Sequence, residues 1–439
     1  MNADLLNIDF TTLGFYEPGF IHLEVSTREN LNDFNALASN PETAHLVSTF
    51  FHEYIHFLQD ISTTHGLLNF IHAVEYLKNA NKQVTEAGVA HFETPLKITN
   101  NSNWLTNNRL MHIYRGGENE GKRVSYLGYK ANKEEVETSK GEKIIVPKYL
   151  VKCYDHSAQT ITTCHFGSKH LKEYMAHAVQ NQYAPNTIHD DIPYRLVELI
   201  VEKEFPRLAR NPSLLVALCD ASLMDQHPAR LFFRTLERMK ERPKRSFKEV
   251  EAVYSFAFKN FSFANEGKKE KVDSVYKDTA NRAIGQIQDS LKADIFRPNV
   301  QWFEEVLKEA MQLRIEHPIF FTQLVQGSKK FSPLFYKVVS RLGIPFMTNS
   351  DQKGFFLPPE KLKSLNINPY YPKVFQAICE TFRGEKKCVL HAFCETRTDK
   401  KVTDDNCLNS PWERVNQPEL CPYAQMWKTW GLAGLKPSV

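Results

Sequence analysis

The chain has 439 residues, of which 42% are hydrophobic and 24% charged, an ordinary globular composition with length for two or three domains. A net charge of +4 with no uniformly basic region argues against a dedicated nucleic-acid binder, and no apolar run is long enough to suggest a membrane span. The opening MNADLLNIDF lacks the basic and apolar regions of a signal peptide, so a soluble cytoplasmic protein is expected, its eight cysteines free or metal-bound rather than paired.

Residues 20–25 alternate in type and read as a strand, and 28–38 as a short helix. Pro41 and Glu42 then open a helix. It carries His52-Glu53-Tyr54-Ile55-His56, with no Pro or Gly from Thr43 to Ser62. Residues four apart on a helix lie one above the other, so His52 and His56 can hold one metal ion. Glu53, about 100° round the helix, is placed to act on a water held there. Leu46, Val47, Phe50, Phe51, Tyr54, Phe57 and Leu58 cover the side away from the histidines. Gln59 and Asp60 are candidates to accept hydrogen bonds from the outer nitrogens of the two rings.

Residues 63–66 are expected to end this helix and 67–80 to form the next. The polar, Asn-rich stretch 81–120 reads mostly as loop, with one or two short helices. Strands follow at 124–127, 134–138 and 144–153, the last two flanking a turn at Ser139-Lys140-Gly141-Glu142. A sheet edge near a metal helix can hold an extended peptide as an added strand.

Zinc on two histidines needs a third protein ligand. In the helix at 166–178, Leu171, Tyr174, Met175 and Ala178 form the apolar arc while Glu173 and His177 point the other way. Glu173 is the leading candidate. Glu75, on the helix after His56, and His177, His170 or His165 are alternatives. Residues 188–240 and 249–330 read as helical, with Cys219 in an apolar run and a basic stretch at 234–248. Beyond 331, prolines, aromatics and cysteines rise together. Cys388, Cys394, Cys407 and Cys421 are candidates for a second, structural zinc, with His391 and Cys379 as substitutes; without a Cys-x-x-Cys pair, a set of buried thiols is the competing explanation.

HEYIH on such a helix, with a glutamate on a later one, resembles the zincin metallopeptidases, specifically their gluzincin branch. The Glu75 spacing resembles the aminopeptidase-like members, but Val74 stands where their Asn-Glu pair begins, and no Gly-x-Met-Glu-Asn motif is present. The pattern Gly167, Glu173, Ala176 looks more like poorly characterised bacterial members. The metzincin form is absent, since Gln59 and Ser62 occupy the places of its glycine and third histidine. The resemblance spans about 45–180.

The elements and the resemblance together imply an α+β, predominantly helical fold with a small sheet. A zincin-like catalytic core is expected at 1–190, a helical lobe at 191–330 and a Cys/aromatic-rich region at 331–439. The resemblance implies a zinc-activated water, Glu53 as general base and attack on a peptide carbonyl. Tyr174, Tyr183, Tyr194, His177 and His227 are candidate donors to the oxyanion. The expected function is a zinc endopeptidase acting on one or a few protein substrates, with a regulatory partner an open question. The rival expectations are a non-catalytic zincin-fold binding protein and a zinc hydrolase of a small amide or ester.

Overall fold

A computed structural model describes residues 9–10, 14–17, 22–25, 44–88, 90–99, 101–117, 120–183, 189–242, 247–261, 264–265, 268–325, 333–396 and 403–438. The helix expected at 28–38 lies outside them. The strands are β1 (Asp9–Phe10), β2 (Gly14–Glu17), β3 (His22–Val25), β4 (His91–Glu93), β5 (Val124–Glu137), β6 (Lys143–Asp155), β7 (Thr160–Phe166), β8 (Ala264–Asn265), β9 (Lys268–Lys269), β10 (Ile344–Asn349), β11 (Gly354–Leu357) and β12 (Lys436–Ser438). The helices before residue 210 are α1 (Ala44–Ser62), α2 (Thr64–Glu86), α3 (Ser102–Arg115), α4 (Ser168–Tyr183), α5 (Asp191–Tyr194), α6 (Leu196–Glu204) and α7 (Pro206–Ala209). Those after it are α8 (Pro212–Leu223), α9 (Pro228–Lys240), α10 (Val250–Lys259), α11 (Val272–Ser290), α12 (Arg297–Glu316), α13 (Phe320–Val325), α14 (Pro333–Leu342), α15 (Tyr371–Phe382), α16 (His391–Glu395), α17 (Asn406–Asn409) and α18 (Pro422–Thr429). The fold is thus mainly helical with small sheets, an α+β arrangement. No helix among the described residues is long and apolar enough to cross a membrane.

One sheet has the order β1-β2-β3-β10-β11. Its centre joins distant parts of the chain, because β10 runs parallel to β3 with Phe346 opposite His22 and Asn349 opposite Val25. A second sheet is the meander β5-β6-β7, which feeds directly into α4. The two separate strands expected at 124–127 and 134–138 are a single strand, β5, with a register shift between Tyr126 and Gly128 that absorbs the break in pattern. Its turn into β6 falls at residues 138–142, as the Ser-Lys-Gly-Glu signal predicts.

Helix α1 is the centre of the packing. Every residue from Leu46 to Ser62 is buried, so the helix is covered on both faces rather than on its apolar side alone. On the aromatic side Phe51 meets Phe335 of α14 with ring centroids 4.6 Å apart, and the Tyr54 hydroxyl donates to the Gly343 carbonyl at 2.7 Å. At its C-terminal end the Ser62 carbonyl accepts from Arg314 Nε at 3.0 Å. Arg314 is held in turn by a two-pronged ion pair with Asp220, at 2.7 and 2.8 Å. A guanidinium at a helix C-terminus satisfies an orphan carbonyl and suits the negative end of the helix dipole.

Helix α2 begins almost where α1 ends. Thr63 caps it, its hydroxyl accepting from the Gly66 amide at 3.1 Å. Gly66, expected as part of a helix stop, lies in the first turn of α2. A Cβ there would sit 2.4 Å from the backbone of Gln59 and Asp60, so only glycine permits this corner. A second close crossing starts α4: a Cβ on Gly167 would lie 2.2 Å from the Arg115 carbonyl, and the Gly117 amide donates to the His165 carbonyl at 2.8 Å. Helix α3 is longer than the short loop-borne helices expected, because Asn101 caps it through the Trp104 amide and its Trp104 is buried against His72 and Tyr76.

The aromatic residues are not concentrated in the tail. The largest fully buried side chains include Tyr54, Phe50, Phe51 and Phe57 on α1 as well as Tyr423 and Trp427 on α18. One hydrophobic cluster runs from Leu23 to Leu432.

Candidate metal centre

The face of α1 opposite its aromatic arc packs against α4. The two helices bring together His52, His56 and Glu173. Glu173 Oε2 lies 3.2 Å from His52 Nε2, Glu173 Oε1 lies 3.5 Å from His56 Nε2, and the two Nε2 atoms are 3.2 Å apart. Zinc bonds of about 2.0–2.1 Å in a tetrahedron place neighbouring donors about 3.3 Å apart, close to these separations, with a different Glu173 oxygen facing each ring. All three are at least 95% buried, with exposures of 2, 5 and 1%. This is the HExxH motif of the zincins with a third ligand of the gluzincin type. No family model matches the chain, and neither the curated proteins nor the solved structures yield a match.

The outer ring nitrogens fit the same role. His52 Nδ1 donates to Gln180 Oε1 at 3.1 Å and His56 Nδ1 donates to Gln59 Oε1 at 2.9 Å. With protons held at both Nδ1 positions, loss of the Nε2 protons to an incoming cation would leave both Nε2 lone pairs facing it beside Glu173. Burial disfavours charge on His56, but the Glu173 carboxylate, its hydrogen bond and then Glu53 outweigh it and raise the ring to about 9. Burial also acts against the Glu173 anion. The positive His56 and the hydrogen bonds from both rings win, holding the carboxyl well below its usual range. The pocket therefore favours positive charge at His56, whereas burial holds His52 below its ordinary range.

Glu53 is buried beside the ligands on α1 and contributes to the field at His56. The geometry supports zinc metallopeptidase chemistry, with water delivered between a cation and an adjacent carboxylate.

Glu173 is fixed by more than its own contacts. Gln59 Nε2 donates to the Lys172 carbonyl at 3.1 Å, and the Lys172 ammonium forms a buried ion pair with Asp60. Gln59 thus behaves as the spacing suggests, whereas Asp60 binds the lysine beside Glu173 and not an imidazole. No local sequence motif points to Gln180 or His189. His189 Nε2 donates to the same Gln180 oxygen at 2.9 Å, so one carboxamide serves His52 and His189 together. Glu173, His177 and Gln180 follow the spacing of one helical stripe, which is the signal that could have found the glutamine. Gln180→Ala should weaken zinc affinity about 10–100-fold, measured by chelator competition. Unchanged affinity would show that His52 needs no help in holding its orientation.

The remaining candidates separate clearly. Tyr194 joins the centre, its ring 5.8 Å from His52 and 4.5 Å from His189. His177 sits one layer out, 4.9 Å from the His189 ring, and accepts from Asn181 at 2.9 Å. Glu75 does not reach the metal site: it faces Gln286 and, with His72, Gln226 and Arg282, lines a different cavity. His170 contacts Cys164 Sγ at 3.0 Å and accepts from the Gly167 amide, so it braces the start of α4. His165 hydrogen-bonds the Ile113 backbone. His227 donates to the Pro147 carbonyl at 2.7 Å beside Tyr114, a structural role at the start of α9 and not an oxyanion donor. Tyr174, as its place on the apolar arc requires, is buried, and burial raises its hydroxyl well above the ordinary range. The Tyr183 side chain lies outside the described residues.

Among the described residues, His52, His56 and Glu173 are the only group of potential ligands whose donor atoms all lie within 4.8 Å of one another. The four tail cysteines form no disulfide and do not reach that spacing.

Proposed function

We propose that this chain is a zinc-dependent endopeptidase that hydrolyses peptide bonds in one or a few protein substrates. The observation that carries this reading is the set of three donors at tetrahedral spacing with Glu53 next to His52 on the same helix. Zinc held there would acidify a water and polarise the scissile carbonyl. Glu53 would accept the proton of the attacking water and return it to the leaving amine. The Tyr194 hydroxyl, beside His52, would donate to the carbonyl oxygen as negative charge develops on it. Gln59 and Gln180 keep the two ligand rings in one tautomer. The β5-β6-β7 sheet, continuous with the Glu173 helix, has edge strands of the kind that hold an extended substrate by main-chain hydrogen bonds.

One observation favours a second reading. The three ligand side chains are almost wholly inaccessible, as in a metal site that serves folding or a partner-controlled state. Digestion of a cell extract separates the two. A peptidase produces a small set of new protein N-termini that vanish with a chelator and return with zinc. An extract left unchanged by the zinc-loaded protein rejects the endopeptidase reading.

A further inference from the structure

The last described stretch of the chain is built from very short elements. Helix α16 has five residues, α17 four and α18 eight. Elements this short bury little surface of their own, and small lobes of this kind usually depend on a cross-link, a disulfide or a metal. None of the eight cysteines forms a disulfide.

Four of those thiols come from four separate pieces of this lobe. Cys388 stands before α16, Cys394 within it, Cys407 within α17 and Cys421 at the cap of α18. The pieces are tied at the cysteines themselves. The Cys388 amide donates to the Cys407 carbonyl at 2.8 Å, and the His391 amide donates to the Cys388 carbonyl at 2.9 Å. Cys394 and Cys421 line one cavity. Two sulfurs also accept backbone amides: Cys421 Sγ from Ala424 at 3.5 Å, and Cys388 Sγ from Leu390. Amide donors of this kind stabilise sulfur as an anion and orient it as a ligand. The Arg414 side chain lies against Cys421 and Cys407, bringing positive charge to the same place.

The candidate substitutes drop out. Cys379 is fully buried on α15 beside Tyr76, and His391 Nδ1 faces Glu395 at 3.5 Å. We infer that Cys388, Cys394, Cys407 and Cys421 form a structural site for one zinc ion that cross-links the C-terminal lobe. A tetrahedral set of four soft sulfurs suits zinc, with closed coordination and no place for substrate. No three of these sulfurs stand within 4.8 Å of one another, so the site requires a change of cysteine rotamer, which moves a sulfur by about 3 Å.

The inference does not rest on the peptidase reading, and cobalt distinguishes the two sites. The reduced full-length protein is loaded with cobalt and its spectrum recorded beside its metal content. Thiolate ligands give an intense sulfur-to-cobalt charge-transfer band, which two histidines and a glutamate cannot produce. The expected result is two metal ions per chain with that band, and in His56→Ala one metal with the band retained. Zinc should also protect all four cysteines from alkylation in the wild-type chain, a readout that holds even if Cys407→Ser fails to fold. A folded, reduced protein that binds cobalt without the band, or whose four thiols alkylate equally fast with and without zinc, overturns the inference.

Discussion

Glu53→Gln should keep its zinc and lose about 10²–10⁴-fold in cleavage rate. The substitution preserves shape and removes only the negative charge that accepts the proton. The ligands themselves are untouched, and Gln180 and Gln59 still orient His52 and His56. Metal content by mass spectrometry and cleavage of an identified substrate are measured on the same preparation. A variant that retains zinc and cleaves within tenfold of wild type would remove Glu53 from the mechanism. One that loses its zinc would show that Glu53 is needed to hold the metal.

The second large effect is expected at Glu173. Replacement by alanine removes one of three ligands, so zinc affinity should fall by more than the roughly hundredfold upper range for loss of an outer-shell partner. The fold should survive. Breaking a buried pair of permanent charges costs about 3–5 kcal/mol, but His56 can release its proton once the carboxylate that raised its pKa is gone. Glu75→Ala is the control and should bind zinc as wild type does, because Glu75 faces Gln286 in a separate cavity. Circular dichroism and metal stoichiometry on the two variants decide the matter: zinc retained in Glu173→Ala and lost in Glu75→Ala would reverse the assignment.

Much of the centre was readable from local periodicity. The i, i+4 spacing of His52 and His56, and the position of Glu173 opposite the apolar arc of its helix, are properties of single helices. The turn between β5 and β6 was readable for the same reason. What escaped depends on contacts between distant segments. Nothing near His227 indicates that its ring will bond the Pro147 carbonyl, and nothing near Asp60 announces Lys172. Gln180 and His189 act through a shared hydrogen bond that exists only once α4 and the segment after it have folded over His52. Likewise, the burial of both faces of α1 reflects α4 on one side and α14 on the other, while its own pattern predicts only one covered face.

The pairing of β3 with β10 bears on when the metal helix is braced. His22 meets Thr348 across 326 residues of chain, and Tyr54 on the metal helix meets Gly343 across 289. A nascent chain made only as far as Tyr183 already carries His52, His56 and Glu173, yet it lacks the strand and the Phe335 that back their helix. Contacts of such long range form late. The chain must therefore be made at least as far as Asn349 before the metal helix and the strand beside it have their full set of contacts.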